Sequence, residues 1–381
     1  MKFLHMADLH IGKRVNEYSM LEDQAFILQQ ILEIANKEQV DGLLVAGDVY
    51  DKSLASAEAV QLFDHFLSQV AKQGLQTFVI SGNHDSAERI AYGGRLMKQS
   101  GVYMSPVYGG EIETICLQDD YGKLNLYMLP FVKPPHVRRV ASEETEIETY
   151  TDAIGFVIGQ MQIDTTQRNI LLCHQFVAGA LRTDSEEPSV GGLDAVDASV
   201  FEPFDYVALG HLHRPQKIGR ETVRYAGSPL KYSFSEISHQ KSVVLVEFLD
   251  KGTVEVRTIP LQAKRDLREI KGRYETISSR EFLQTQNTDD YVHIILTDEE
   301  EIMNVQGILS LQYPNMMRVD YDNARTRAAG YQGDVAELEH KTPLQLFGEL
   351  FELQNGQSMS KEQEALMVGW IEEIWSEEEV L

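Results

Sequence analysis

The chain reads as an α/β protein: a two-sheet sandwich flanked by helices, then a small α/β domain and a C-terminal helix–loop–helix. Three observations predict this. Short apolar runs bounded by glycine or polar residues, at 2–7, 42–47, 76–80, 123–129, 169–173 and 206–209, have the length of buried strands. Helical periodicity fills the gaps between the first three runs, and strand–helix–strand alternation gives a parallel or mixed sheet covered by helices. From 222 to 261 the pattern changes to strands joined by short turns, which predicts a second, largely antiparallel sheet packed on the first.

Taken in order, the first run reaches Asp8 almost at once and leaves no room for the regions of a signal peptide. No apolar run approaches the ~20 residues of a membrane span. Both points predict a cytoplasmic protein with no membrane partner. A helix over 21–35 would carry Phe26, Leu28, Ile31, Leu32 and Ile34 on its stripe, and one over 57–70 would carry Val60, Leu62, Phe63, Phe66 and Leu67. The polar stretch AKRDLREIKG closes a first domain at 1–262. Residues 263–323 read as an α/β domain in which helices start at the capping-box spacings Ser278–Glu281 and Thr297–Glu300, around the strand YVHIIL and before MMRVDY. Residues 324–333 lack apolar periodicity and read as a linker. In 334–381, Thr342–Pro343 opens a helix with Leu346, Phe347, Leu350 and Phe351 on one stripe. Ser360–Gln363 opens another with Leu366, Trp370, Ile371 and Ile374.

The formal charge is −25, of which 334–381, with twelve Asp or Glu against two Lys, supplies −10. A protein that holds nucleic acid alone usually carries a net basic face, and this chain lacks one. Lys13, Arg14, Lys133, Arg138, Arg139, Arg214 and Lys217 follow strands that lead toward one rim and are the local hint of a basic track; ordinary solvated surface explains them equally well. Two cysteines, Cys116 and Cys173, read as reduced thiols and exclude a disulfide framework or a zinc–thiolate site.

Five fragments place oxygen or imidazole ligands just beyond a strand: Asp8-Leu9-His10, Gly47-Asp48, Gly82-Asn83-His84-Asp85, His174 and Gly210-His211-Leu212-His213. Ligands at strand ends converge at one rim of a sheet. Asp–x–His and His–x–His each send two side chains past one residue toward the same point. A lone buried histidine is more often a satisfied core residue, but five such fragments, each at a strand end, point to a metal centre. His5, His65, His136, His239, His293 and His340 have no companion at ligand spacing and stay outside it.

In this order the fragments resemble the calcineurin-like metallophosphoesterase family. MKFLHMADLHIGK, VAGDVYD, ISGNHDS, ALGHLHRPQ and YAGSPLKYSF are similar to its SbcD nuclease subunits, across residues 1 to 234, with a looser likeness beyond. The resemblance implies the αββα sandwich of that family. It further implies that Asp8, His10 and His213 hold one divalent ion, that Asn83, His174 and His211 hold a second, and that Asp48 bridges both. His84 would stay off the metals as a proton donor or oxyanion stabiliser. Imidazoles, carboxylates and one amide without thiolate suit Mn²⁺, with Fe²⁺ or Zn²⁺ as alternatives. The implied activity is two-metal hydrolysis of DNA, as exonuclease on double-stranded ends and endonuclease on hairpin or single-stranded DNA, in repair, recombination and replication. The implied partners are the SbcC ATPase, bound through residues 334–381, and a second copy of the chain within a heterotetramer. A phosphatase or small-molecule phosphodiesterase uses the same core and is the alternative; the domain after 263 is more than a small substrate requires.

Overall fold

The structure, a computed structural model, describes residues 1–142, 144–183, 195–323, 326, 342–355 and 358–377. Two compact units divide it. The first, built mainly from residues before 270, is the sandwich. One sheet runs in the order β14-β13-β1-β4-β5-β6, where β1 (Lys2–Met6), β4 (Gly42–Ala46), β5 (Gln76–Ile80) and β6 (Val102–Met104) are parallel. Onto β1 are added antiparallel β13 (Ser242–Phe248) and then β14 (Val254–Pro260). The other sheet has the order β11-β12-β10-β9-β8-β7, with β8 (Gly122–Leu129), β9 (Arg168–His174), β10 (Tyr206–Gly210) and β12 (Arg220–Tyr225) parallel. Its edges, β7 (Thr114–Asp119) and β11 (Gln216–Ile218), are antiparallel. A short ribbon of β2 (Arg14–Val15) and β3 (Tyr18–Ser19) stands apart.

The expected antiparallel sheet from 222–261 is therefore corrected. β12 joins one mixed sheet, while β13 and β14 extend the other. Hydrophobic alternation fixes which face of a strand is buried, but does not name the neighbour that satisfies its backbone.

Side-chain alternation at period two sorts the cores. Phe3, Leu44, Phe78 and Val244 from one sheet meet Leu124, Leu126, Ile170 and Tyr206 from the other. The alternate residues Tyr127, Leu171 and Val207 face outward onto Ile154, Val157 and Ile158 of the helix Tyr150–Gln160. Helices α1 (Leu21–Glu38) and α2 (Ala57–Lys72) pack on each other and complete the outer layer. Their buried stripes are Ile27, Leu28, Ile31, Leu32 and Ala35, and Ala59, Phe63, Phe66 and Val70. Phe26 and Val60, expected inside, are 43% and 47% exposed. Cys173 is buried and Cys116 exposed, both as free thiols.

The second unit holds most of a three-stranded sheet of β15 (Leu267–Gly272), β16 (Tyr291–Leu296) and β17 (Met316–Tyr321); the first residues of β15 and β16 group with the sandwich, and β17 lies wholly in the second unit. Its helices start elsewhere than the capping-box spacings predict. The cap is Ser279, whose Oγ accepts from Phe282 N at 3.2 Å, and the helix is Arg280–Gln284. No helix opens at Thr297, because its N–H is committed to Gly272 O at 3.0 Å, and Asp298 accepts instead from Tyr274 N at 2.7 Å. The tail helices, Pro343–Asn355 and Lys361–Glu377, do form, each behind a reciprocal box: Thr342 with Gln345 and Ser360 with Gln363. Residues 324–325 and 327–333 of the expected linker, the start of the tail at 334–341, its end at 378–381, and His340 lie outside the described residues. Among the described residues no helix is long and apolar enough to cross a membrane.

Candidate metal centre

Every fragment singled out from the sequence lies at the carboxyl end of a parallel strand: Asp8 beyond β1, Asp48 beyond β4, Asn83 beyond β5, His174 ending β9, His211 and His213 beyond β10. β1, β4 and β5 are neighbours in one sheet and β9 and β10 in the other, so the sandwich brings both sets to one rim. Hydrogen bonds cross the rim. His211 N donates to Asp8 Oδ1 at 2.8 Å, and His174 Nδ1 donates to Ala46 O at 2.8 Å.

The backbone here is strained. Asp8, His10, Asp48 and His211 have φ of 53°, 43°, 49° and 108°, a conformation that costs about 1–3 kcal/mol for a non-glycine residue and persists where the surroundings over-determine it. Gly47 shares it at 87°, and a Cβ there would stand 2.3 Å from His174 Nδ1. At Gly82 the demand is space alone, since a Cβ would lie 2.1 Å from Asp48 Oδ1.

Two clusters share Asp48. In one, His10 Nε2 is 3.1 Å from His213 Nε2 and 3.7 Å from Asp48 Oδ2. Asp8 Oδ2 is buried with no hydrogen-bond partner among the described residues, and Asp8 offers a ligand atom within 4.8 Å of those of Asp48 and His174. In the other, His174 Nε2 is 3.2 Å from Asp48 Oδ2 and 3.0 Å from Asn83 Oδ1, which His211 Nδ1 meets at 2.9 Å. The outer nitrogens are spoken for: His174 Nδ1 by Ala46 O, and His213 Nδ1 by Glu236 Oε1 at 3.0 Å. Both imidazoles therefore aim Nε2 inward. An orphaned carboxylate oxygen, converging imidazoles and an all-nitrogen-and-oxygen donor set fit divalent cations, and each cluster offers three or four such atoms.

The electrostatics fit too. Burial raises the Asp8 carboxyl above its usual range against the pull of His174 and His213. Burial likewise opposes the charge on Asp48, but His174 and the other imidazoles beside it hold that carboxyl well below the usual range. Burial drives His10 well down, and burial with the charge of His174 takes His211 down to about 3. His174 runs the other way: burial opposes its charge, but Asp48 and Asp8 beside it raise it to about 9. A metal taking this site would displace a proton from His174, whereas His10 and His211 are already in the neutral form that binds metal.

His84 stands beside this set. Its N–H donates to Asp48 Oδ1 at 2.9 Å, its Nδ1 donates to Asp51 O at 3.1 Å, and its ring lies edge-on to His10 with centroids 4.7 Å apart. One ligand atom each from His10, Asp48 and His84 fall within 4.8 Å of one another, as do atoms from Asp8, Asp48 and His174.

Sequence reasoning missed the residues behind the rim. Asp85 accepts from Val49 N, Tyr50 N and Gly82 N at 3.0, 2.9 and 2.9 Å, tying the Asp48 loop to the Asn83 loop. Gln24 on α1 donates to His10 O at 2.7 Å, and Tyr232 OH donates to Leu9 O at 2.5 Å. Asp85 sits inside Gly-Asn-His-Asp and Tyr232 inside YAGSPLKYSF, so both lie in fragments legible in the sequence; Gln24 carries no such signal. The excluded His5 is buried in β1 between Tyr206 OH and Leu209 O. Of the basic hints, Lys13 pairs with Asp51 at 2.7 Å, and Lys217 pairs with Glu221.

Residues 1–215 match a family model described as calcineurin-like phosphoesterase, and residues 263–355 match one described as type 5 capsule protein repressor C-terminal domain. Two relatives are named as the D component of the SbcCD nuclease. The one from Staphylococcus epidermidis is 34% identical over 83% of this chain and 84% of its own, and the one from Staphylococcus saprophyticus is 33% identical over the same shares. With the phosphoesterase model spanning more than half of the chain and those relatives most of it, the chain belongs to the calcineurin-like phosphoesterase family, among its SbcD nuclease subunits.

Proposed function

We propose that the chain is a metal-dependent DNA nuclease that cuts phosphodiester bonds at double-stranded ends and in hairpin or single-stranded DNA. The observation that carries the reading is the convergence of Asp8, His10, Asp48, Asn83, His174, His211 and His213 on one buried rim. Asp8, His10 and His213 would hold one ion and Asn83, His174 and His211 the other, with Asp48 shared between them. The donor set favours Mn²⁺, with Fe²⁺ or Zn²⁺ as alternatives. Two ions so held polarise a phosphodiester, activate water and neutralise charge developing on the phosphate.

The protein's own part is orientation and proton supply. Backbone contacts from Ala46 and the Glu236 carboxylate fix the ring rotations of His174 and His213. His84, off the ions, gives the leaving 3′ oxygen its proton, with Asp51 O holding its ring in place. In the cytoplasm the chain acts in repair, recombination and replication as two copies with the SbcC ATPase, which binds residues 334–381. Exposed Phe347, Leu350, Leu366 and Trp370 on the tail helices support that docking, and exposed Tyr92 and Leu96 support pairing of two copies.

The test is hydrolysis by the purified chain with Mn²⁺, comparing linear duplex and hairpin DNA with nucleotide monophosphates. DNA cleavage is expected. Release of phosphate from the monophosphates with DNA left intact would make the chain a phosphatase instead.

A further inference from the structure

Behind His213 lies a buried ion pair that metal ligation alone does not require. Glu236 is 0% exposed and Lys241 5%. His213 Nδ1 is 3.0 Å from Glu236 Oε1. Lys241 Nζ donates to Glu236 Oε2 at 2.5 Å, Ser228 Oγ at 2.8 Å and His213 O at 2.9 Å, which uses all three protons of an ammonium group. An ionised carboxylate only accepts, so the hydrogen is on Nδ1 and the lone pair on Nε2. That Nε2 faces His10 Nε2 at 3.1 Å. The side-chain contact fixes the ring, and the Lys241 contact to His213 O fixes the backbone that carries it.

The other inward-aimed imidazole is held differently. His174 Nδ1 rests on a neutral carbonyl, Ala46 O. A buried ion pair seldom repays its own desolvation, so stability alone gives little reason to place one here. A carboxylate on the outer nitrogen of a ligating histidine does have a use, because it orients the ring and raises its basicity toward the metal.

We propose that Glu236 and Lys241 are positioning residues of the metal centre: Glu236 presents His213 Nε2 to the ion it shares with Asp8 and His10, and Lys241 balances the buried carboxylate. The inference rests on the ligand assignment proposed above, and one calorimetric experiment tests the two separately. The metal-free wild-type chain, titrated with Mn²⁺, is expected to bind two ions. Absence of binding would remove the ligand assignment and this inference with it.

Glu236→Gln keeps the size and an accepting oxygen but removes the charge. It is expected to weaken one of the two ions by about 10–100-fold, leave the other unchanged and melt near the wild-type temperature. Two ions bound with wild-type affinities by folded Glu236→Gln would overturn the inference while leaving the ligands in place. Should that variant fail to fold, the double variant Glu236→Leu/Lys241→Met replaces the whole pair with apolar groups of similar volume. It carries the same expectation, and wild-type affinity for both ions in the folded double variant would overturn the proposal equally.

Discussion

The backbone N–H of His84 donates to Asp48 Oδ1 over 2.9 Å, a contact with the shared carboxylate that does not depend on the imidazole. His84→Ala should therefore keep that hydrogen bond and both ions while lowering DNA cleavage by about 10²–10⁴-fold, the usual worth of a general acid. Asp48→Ala should lose metal. Metal analysis beside turnover separates the two, and a His84→Ala chain lacking one ion would make His84 a ligand.

Asp85 joins the loops that carry Asp48 and Asn83 through three backbone donors. Asp85→Ala strands all three, at about 1–3 kcal/mol for each buried donor left unmet, so a loss of about 3 kcal/mol or more is expected. Chemical denaturation checks it. A midpoint unchanged from wild type would mean that water replaces the carboxylate at no cost.

Asp119 meets the Arg168 guanidinium at 2.5 Å and the N-terminal amine at 2.7 Å. Burial alone would raise its pKa, but those two cations outweigh it and hold the carboxyl well below the usual range. A folded-state pKa depressed below the unfolded value of about 3.9 stabilises the protein above that pH, and the contribution is lost as pH falls through the folded value. Asp119→Asn should thus lower the melting temperature at pH 7 and narrow its gap from wild type in strong acid. A constant gap across the range would refute the linkage.

With a net charge of −25, the isolated chain should bind duplex DNA weakly, at roughly micromolar Kd or above at physiological salt, and depend on its partner for tight association. Fluorescence anisotropy across a salt series measures this. Nanomolar binding by the chain alone with a shallow salt dependence would contradict it.

The ligand fragments were legible because each adjoins an apolar run, and a run of four to seven apolar residues announces a buried strand whose end lies at the sheet rim. Glu236 was not, since it lies 23 residues beyond His213 and only the folded turn at Phe234–Glu236 brings them together. Strand partners were equally hidden: nothing in SVVLVEF says that it pairs with β1, more than 230 residues away. The false helix start at Thr297 shows the same limit from the other side, because a capping box is local and the sheet partner that claims Thr297 N is not.

The tail stands on two helices, Pro343–Asn355 and Lys361–Glu377. Its helices pack on each other, and each begins at a reciprocal capping box, so they are set by local sequence. Even so, Leu350, Leu366 and Trp370 remain 52%, 52% and 51% exposed and Phe347 38%. Two short helices have too little surface to bury both stripes between themselves, and apolar faces left outward on an acidic background suit a groove on a partner. Aromatic anchors dominate such interfaces, so Phe347→Ala or Trp370→Ala should weaken association with SbcC, each by about 1–3 kcal/mol, and leave Mn²⁺-dependent cleavage of a small diester unchanged. A chain ending at residue 333 gives the decisive comparison. It should keep its melting temperature and its diesterase activity and fail to co-purify with SbcC; continued co-purification, or a collapse in melting temperature, would make the tail part of the body of the protein instead.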